Sequence, residues 1–325
     1  MKRTLALIPA VLLLAGTLTS CTGDEKPVAD GCVEPGSLSD SVKVEGGFGE
    51  QLKLDLDKPI KADKVERTVL ETDQRGKSDD IGEDENVFTS LTVFDGADGS
   101  VTEFTQTMLT ATGSYSPWVK QTLNCAKGGE RVVIVTPKQD VVGKDKATAD
   151  ETLVIVSDLY VPELEKAEGE DVKLPADLPE VSIAKNGEPT ITIPDSAKAP
   201  ETLTVETMVK GKGDEIKPGD TVFVHYRGVI MRTGEEFDSS WSRGEFSHFN
   251  AATDEEAAEV GAKLPVIRGF RDALVGQTVG SRVMSIVPAE DGGYGGERLK
   301  SMGHEEDDVM VFVLDILGSM PATVQ

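Results

Sequence analysis

The sequence predicts an α+β fold, a bent antiparallel β-sheet wrapped around a short helix and built twice in tandem. Three observations carry that expectation. The first is internal repetition. Gly129-Glu-Arg-Val-Val-Ile-Val-Thr-Pro137 and Gly280-Ser-Arg-Val-Met-Ser-Ile-Val-Pro288 share a glycine, an arginine, a valine and the closing proline. Thr152-Leu-Val-Ile-Val-Ser-Asp-Leu-Tyr160 and Val309-Met-Val-Phe-Val-Leu-Asp-Ile-Leu317 are apolar runs with an aspartate at the same place. Upstream, Val42-Lys-Val-Glu with Gly49-Glu50 echoes Val181-Ser-Ile-Ala with Gly187-Glu188, and Glu85-Asn-Val-Phe88 echoes Asp220-Thr-Val-Phe223. Matches that keep one order along the chain argue for two copies of one unit. The second observation is strand patterning. Residues 221–226 alternate, placing Val222, Val224 and Tyr226 on one face, whereas 281–287 and 309–317 are too apolar for one-sided strands and read as central. The third is a single helix signal over 265–275: proline opens it, Ile267, Phe270 and Leu274 form one face, and Gly276 stops it.

The elements follow in chain order. Lys2 and Arg3 precede an apolar run from Leu5 to Leu18, the layout of a secretory signal and too short for a membrane span of about 20 residues. Leu18-Thr19-Ser20-Cys21 resembles the lipobox of bacterial lipoproteins, which implies cleavage before Cys21 and its lipidation. Residues 22–40 are polar, acidic and contain Gly and Pro, as in a flexible tether. The first unit covers 41–161. A Glu-, Asp-, Lys- and Pro-rich linker occupies 162–180. The second unit covers 181–318, with its core at about 203–318.

Composition bounds the function. In 325 residues, 33 Lys+Arg stand against 58 Asp+Glu, a net charge of −25, so the chain offers no basic stripe to a nucleic acid. Three Cys and three His leave little room for a multi-ligand zinc site, and His225, His248 and His304 lack metal-like spacing. Asp95-Gly-Ala-Asp-Gly99 lacks the remaining ligands of a calcium loop and reads as a hairpin turn. Nothing resembles a phosphate loop, and no cofactor is expected.

The second unit gives, in order, Gly219-Asp220, Val224-His-Tyr-Arg-Gly228, Gly234-Glu-Glu-Phe-Asp-Ser-Ser240, Arg243, Val266-Ile-Arg-Gly-Phe270, Gly276, Val279-Gly-Ser-Arg282, Pro288, Gly293-Tyr-Gly295 and Val311-Phe-Val-Leu-Asp-Ile-Leu317. This succession resembles the FKBP-type peptidyl-prolyl cis–trans isomerases. The resemblance implies a prolyl cup lined by Tyr226, Phe237, Val266, Ile267, Phe270 and Phe312. It makes Asp238 the acceptor for the Tyr226 hydroxyl, Arg243 the support of Asp238, and Phe246 one wall. It assigns the Ile267 backbone N–H and the Tyr294 hydroxyl to substrate carbonyls. Macrolide ligands are implied as well. The chemistry suits such a cup, because an X–Pro amide turns only over a barrier of about 20 kcal/mol, and twisting it removes the resonance that makes it polar. An apolar surround therefore favours the twisted state.

Three departures stand out. Phe270 occupies the place of the family's floor tryptophan. An acidic, Ala-rich insertion spans 250–263 and reads as a helical flap. Ser301-Met-Gly-His-Glu-Glu-Asp-Asp308 replaces an apolar loop, with Met302 as its one apolar candidate. In the first unit Leu91 falls where Tyr226 sits, Thr105 replaces Asp238, and no Gly-Tyr-Gly follows Pro137, so that copy is expected to be silent. For Cys32 and Cys125 a disulfide and two free thiols both stay open. Two functions result: a lipid-anchored isomerase on the extracytoplasmic face of the cell membrane, acting on proline-containing exported polypeptides, or a non-catalytic chaperone or scaffold of the same fold at the cell envelope.

Overall fold

The computed structural model describes residues 32–72, 76, 79–82, 85–110, 117–148, 150–253, 255, 258 and 266–322. The signal segment, Cys21, the start of the tether and most of the 250–263 insertion lie outside the described residues. The first half contains β1 (Val44–Glu45), β2 (Lys53–Leu54), β3 (Glu66–Thr72), β4 (Asn86–Asp95), β5 (Val101–Thr110), α1 (Pro117–Leu123), β6 (Glu130–Pro137), α2 (Lys138–Val142) and β7 (Thr152–Tyr160). Strands β3-β6-β7-β4-β5 form an antiparallel sheet, while β1 and β2 form a separate hairpin. After β8 (Gly169–Asp171), the second half holds β9 (Glu180–Ile183), β10 (Pro189–Thr192), β11 (Thr204–Gly211), β12 (Thr221–Ile230), β13 (Glu236–Ser239), α3 (Ser240–Arg243), β14 (Ser247–Asn250), α4 (Arg268–Leu274), β15 (Arg282–Val287), α5 (Gly296–Ser301) and β16 (Met310–Met320). Its sheet runs β13-β12-β16-β15-β11-β8, with β14 also on β12, and β9–β10 is again a separate hairpin. The apolar runs expected to be central, β15 and β16, are central, and their counterparts β6 and β7 are interior in the first sheet.

Each sheet is covered on both faces, and strand alternation decides which residues go where. In the second half Val222, Val224, Tyr226, Val283, Phe312 and Leu314 face α4, whose Phe270, Ala273 and Leu274 complete that core. Gly269 lets the helix lie close, since a Cβ there would press into the Val287 side chain. On the opposite face Met284, Ile286, Val311 and Val313 pack against Ile191 of the β9–β10 hairpin. In the first half Val132 and Leu159 face Val119 and Leu123 of α1, and Val133, Val135, Val154 and Val156 face Leu52 and Leu54 of the β1–β2 hairpin.

A buried ion pair joins hairpin to sheet in each half. Arg131 donates from Nε and Nη2 to Asp158 at 2.6 and 2.8 Å, and reaches the Gly46 and Gly47 carbonyls at 3.2 and 2.9 Å. Arg282 donates to Asp315 at 2.6 Å from both nitrogens and to the Gly187 carbonyl at 2.9 Å. Arg131 lies opposite Asp158 and Arg282 opposite Asp315 in strand register. These are the repeated Arg and Asp of the sequence.

Several boundaries differ from expectation. The tether is docked before residue 40: Glu66 accepts from the Leu38 and Ser39 backbones at 2.9 and 3.1 Å, and Cys32 is disulfide-bonded to Cys125, with Cα atoms 6.0 Å apart. Cys125 takes a positive φ of 62° just beyond α1, the place that Gly276 fills with φ 80° just beyond α4. A loop closed over 93 residues adds stability of about 2–4 kcal/mol. The linker is not simply extended chain, because β8 adds to the open edge of β11 and Ala167 donates to Asp315 at 2.8 Å. The helix expected over 265–275 is described from Arg268 to Leu274, with Ile267 as its N-cap. Helices α2, α3 and α5, of six residues or fewer, carry too few turns to leave a periodic signal.

Candidate active site

One cavity of about 340 Å³ opens between α4 and the concave face of the second sheet, lined by Tyr226, Asp238, Phe249, Val266, Ile267, Phe270, Tyr294, Arg298 and Phe312. Strand alternation on β12 aims Tyr226 inward beside Val224, and the same alternation on β16 brings Phe312 beneath it. Phe270 enters from the first turn of α4. Its ring meets Phe312, Tyr226 and Phe249 edge-to-face, with centroids 4.6, 5.4 and 5.4 Å away. Phe237 stands outside the cavity lining and buttresses Phe312 at 5.4 Å. Gly228 makes room for that pair, since a Cβ there would lie 2.8 Å from Phe237 and 2.9 Å from Phe312.

The polar rim is built by an interruption in the sheet edge. Where β5 is continuous, the second half breaks into β13, α3 and β14. Asp238 sits in β13 and Arg243 at the end of α3, so the break brings them together. The Tyr226 hydroxyl donates to Asp238 Oδ2 at 2.5 Å. Arg243 donates to Asp238 Oδ1 at 2.5 Å, to the Tyr226 oxygen at 3.1 Å and to Ser247 Oγ at 3.1 Å. Ser240 anchors the turn from behind, accepting from the Tyr226 backbone N–H at 2.8 Å. Burial, reinforced by the hydrogen bond to Asp238, pushes the Tyr226 phenol up to about 12, so it keeps its proton and remains a donor. Burial also raises the Tyr294 phenol. The floor is dry, with Tyr226 and Phe270 each 4% exposed and Phe312 1%, whereas the Asp238 and Arg243 side chains are each 41% exposed at the mouth. No cluster of His, Cys, Asp and Glu suited to a metal occurs among the described residues.

The family model described as FKBP-type peptidyl-prolyl cis-trans isomerase matches residues 212–317. A probable FK506-binding protein of Corynebacterium glutamicum is 36% identical over 132 residues, which cover 40% of this chain and 98% of that protein. The chain belongs to the FKBP-type peptidyl-prolyl cis–trans isomerases. An FK506-binding protein of Streptomyces anulatus is 32% identical over 133 residues, covering 40% of this chain and 94% of that protein. The crystal structure of FkpA from Escherichia coli is 25% identical, covers 44% of this chain and 52% of that chain, and has a TM-score of 0.31.

Within the isomerase domain, Tyr226, Asp238, Val266, Ile267, Phe270, Tyr294 and Phe312 converge on one cavity, with Arg243 at its mouth and Phe237 behind its wall. Phe246 does not join them. In register, Phe249 lies opposite Val222 and His248 opposite Phe223. Phe249 therefore shares the cup face and supplies the wall, while Phe246 turns to Phe223 on the far side, 5.9 Å away. The resemblance put the wall at Phe246 with the register around Phe246 and Phe249 open, and the pairing of β14 with β12 gives that place to Phe249. Met302 is 42% exposed and supplies no wall; His304 instead meets the Phe237 ring at 5.9 Å. Arg298 on α5, one turn after Tyr294, lines the cavity and was missed, since nothing in Glu297-Arg298-Leu299 marks it from sequence. In the first half Leu91 packs with Val93, Ile134, Leu153 and Ile155 on the corresponding face. The continuous β5 there leaves no turn to present a counterpart of Arg243.

Proposed function

We propose that this FKBP-type isomerase accelerates Xaa–Pro rotation in exported polypeptides by holding a twisted prolyl amide over the Phe270–Phe312 floor. The observation that carries this reading is the Tyr226–Asp238–Arg243 hydrogen-bonded rim above a dry aromatic cup. The prolyl ring would occupy the cup, where loss of amide resonance carries less electrostatic penalty than in water. Tyr226, fixed by Asp238, would direct its dipole toward the reacting amide. The Ile267 N–H and the Tyr294 hydroxyl would hold flanking carbonyls. Pre-set donors of this kind need no reorganisation as the amide twists. Asp238 is committed to Tyr226 and Arg243, so it serves as an orienting group. The apolar cup also suits a macrolide.

The two halves read as copies of one unit, at 41–161 and 181–318, with the site kept only in the second. Equivalent strand orders, the hairpin on the same face and the Arg–Asp pair at the same register support this duplication. Export with a lipid anchor at Cys21 on the extracytoplasmic face is supported by the basic, apolar and Leu-Thr-Ser-Cys succession of 1–21 and by the disulfide, a bond that persists in oxidising compartments. Cys21→Ala is expected to move the chain from the detergent-soluble membrane fraction to the aqueous one. Retention in the membrane would remove the anchor.

The purified chain is expected to accelerate cis–trans conversion of a Xaa–Pro peptide at catalytic, substoichiometric amounts. The alternative, a chaperone or scaffold of the same fold, predicts suppressed client aggregation with no change in that rate. The peptide assay separates the two.

A further inference from the structure

Residues 243–249 are divided between the cup and the first unit. Arg243 and Ser247 serve the cup rim, and Phe249 is its wall. The residues between them point the other way. Glu245 accepts a hydrogen bond from Asn86 at 3.3 Å, Phe246 meets Phe223 edge-on, and the His248 ring lies 4.9 Å from Phe88. Phe223, directly opposite His248 in the ladder, stacks on Tyr160 at 4.6 Å and meets Phe88 at 5.1 Å. Phe88, Tyr160 and Phe223 are 1%, 3% and 0% exposed, and with Phe48 and Met320 they form one apolar cluster that spans both units.

The architecture gives this contact a purpose. In the first unit the edge strand β5 runs ten residues along β4. In the second, building the rim divides that edge into two strands of four residues each. A four-residue edge strand bonded on one side has few ladder bonds to hold it, yet β14 must fix both Ser247 and Phe249. We propose that the first unit is a positioning element for the isomerase site, and that Phe88, directly, and Tyr160, through Phe223, brace β14 from behind so that the cup wall and Arg243 keep their places. This gives a site-less copy a task that requires its outer aromatic face and not a pocket of its own.

The proposal rests on the site assignment above, and the test separates the two. Kinetics on a Xaa–Pro peptide would be measured in the full chain at a temperature where near-UV circular dichroism shows every variant folded. Phe88→Ala is expected to raise KM about fivefold with kcat changed less than twofold, because loosening a wall weakens ground and twisted states alike. Phe88→Leu, which keeps most of the apolar volume, should recover most of the loss. Gly318→Ala approaches from the other unit without opening either core, since its Cβ would collide with the Tyr160 hydroxyl. It should raise KM as Phe88→Ala does, and it carries the test if Phe88→Ala fails to fold. Phe94→Ala, in the first unit's hairpin-side core, should leave KM unchanged. An unchanged KM in both Phe88→Ala and Gly318→Ala, or an equal rise in Phe94→Ala, overturns the coupling while a slowed Asp238→Ala leaves the site standing. If Asp238→Ala also turns over normally, the site assignment and this proposal fall together.

Discussion

Asp238→Ala should lower kcat/KM for a Xaa–Pro peptide by about 10- to 150-fold, with little change in thermal stability. Its carboxylate takes hydrogen bonds from the Tyr226 hydroxyl and from Arg243, both at 2.5 Å. A hydrogen bond to a charged group contributes about 1.5–3 kcal/mol, and each 1.4 kcal/mol of barrier is about tenfold in rate. Without Asp238 the Tyr226 hydroxyl loses the acceptor that orients it, and Arg243 is free to turn toward water. Asp238→Asn offers an oxygen to Tyr226 but no charge to Arg243, so it should fall between wild type and alanine. Tyr226→Phe keeps the ring and its contact with Phe270 while removing the donor, so its loss should appear mainly in kcat. Stability should hardly move in Asp238→Ala, because both charged partners are partly exposed and an exposed pair contributes about 0–1 kcal/mol. Stopped-flow measurement of peptide isomerisation beside a thermal melt checks both halves of the expectation. Full activity in all three variants would remove Tyr226 and Asp238 from the site.

What could be read from sequence was what repeats or alternates. The central strands, the inward face of Tyr226 and the two repeated Arg and Asp positions all follow from regular patterns on strands. The hairpin turn at 95–99 was legible for the same local reason: Asp95 and Asp98 accept from the backbones of Ala97 and Ser100 at 2.8 and 2.9 Å, closing the turn. Legibility ended where periodicity was broken. The short α3 interrupts the strand pattern ahead of Phe246 and Phe249, so the sequence left the register of the wall open between those two rings. Strand β8 escaped notice because it contributes backbone to an edge, and its exposed Gly-Glu-Asp carries no apolar pattern. The aromatic contact between units was hidden for another reason. Phe88, Tyr160 and Phe223 lie on strands buried on both faces, and such a strand reads the same whether its second face meets a hairpin or another domain. Arg298 reaches the cavity only because of how α5 is placed, which depends on contacts remote in sequence.

The largest loss of stability should come from the paired Arg and Asp positions, on the sheet face opposite the cup. Asp315→Ala is expected to destabilise the isomerase domain by about 3–5 kcal/mol, the cost of leaving a buried charge without its partner. The Arg282 and Asp315 side chains are only 7% and 1% exposed. Removing Asp315 also strands the Ala167 N–H of the linker, and the guanidinium that holds Gly187 of the hairpin loses its anchor. Hydrogen exchange should therefore quicken first at Ala167 and across β9–β10. Asp158→Ala should do the same to the first unit, where Gly49 donates to that carboxylate at 2.6 Å. Replacing both partners by apolar residues, as in Arg282→Met with Asp315→Leu, should cost far less than either single change, since no charge is then left buried. Desolvation raises the Asp158 carboxyl even against the pull of Arg131, so ionising it in the folded chain is harder than in the unfolded one. A raised acid contributes less to stability as pH climbs through its folded value, so this pair serves to fix the hairpin's position more than to add stability. Kinetics supply the decisive contrast. Residues 282, 284 and 286 alternate away from the cup, so Asp315→Ala assayed below its lowered melting point should retain wild-type kcat/KM. A proportionate fall in rate and stability in Asp315→Ala would mean that the hairpin-covered part of the far face also sets the geometry of the cup, beyond the bracing of β14 by the first unit.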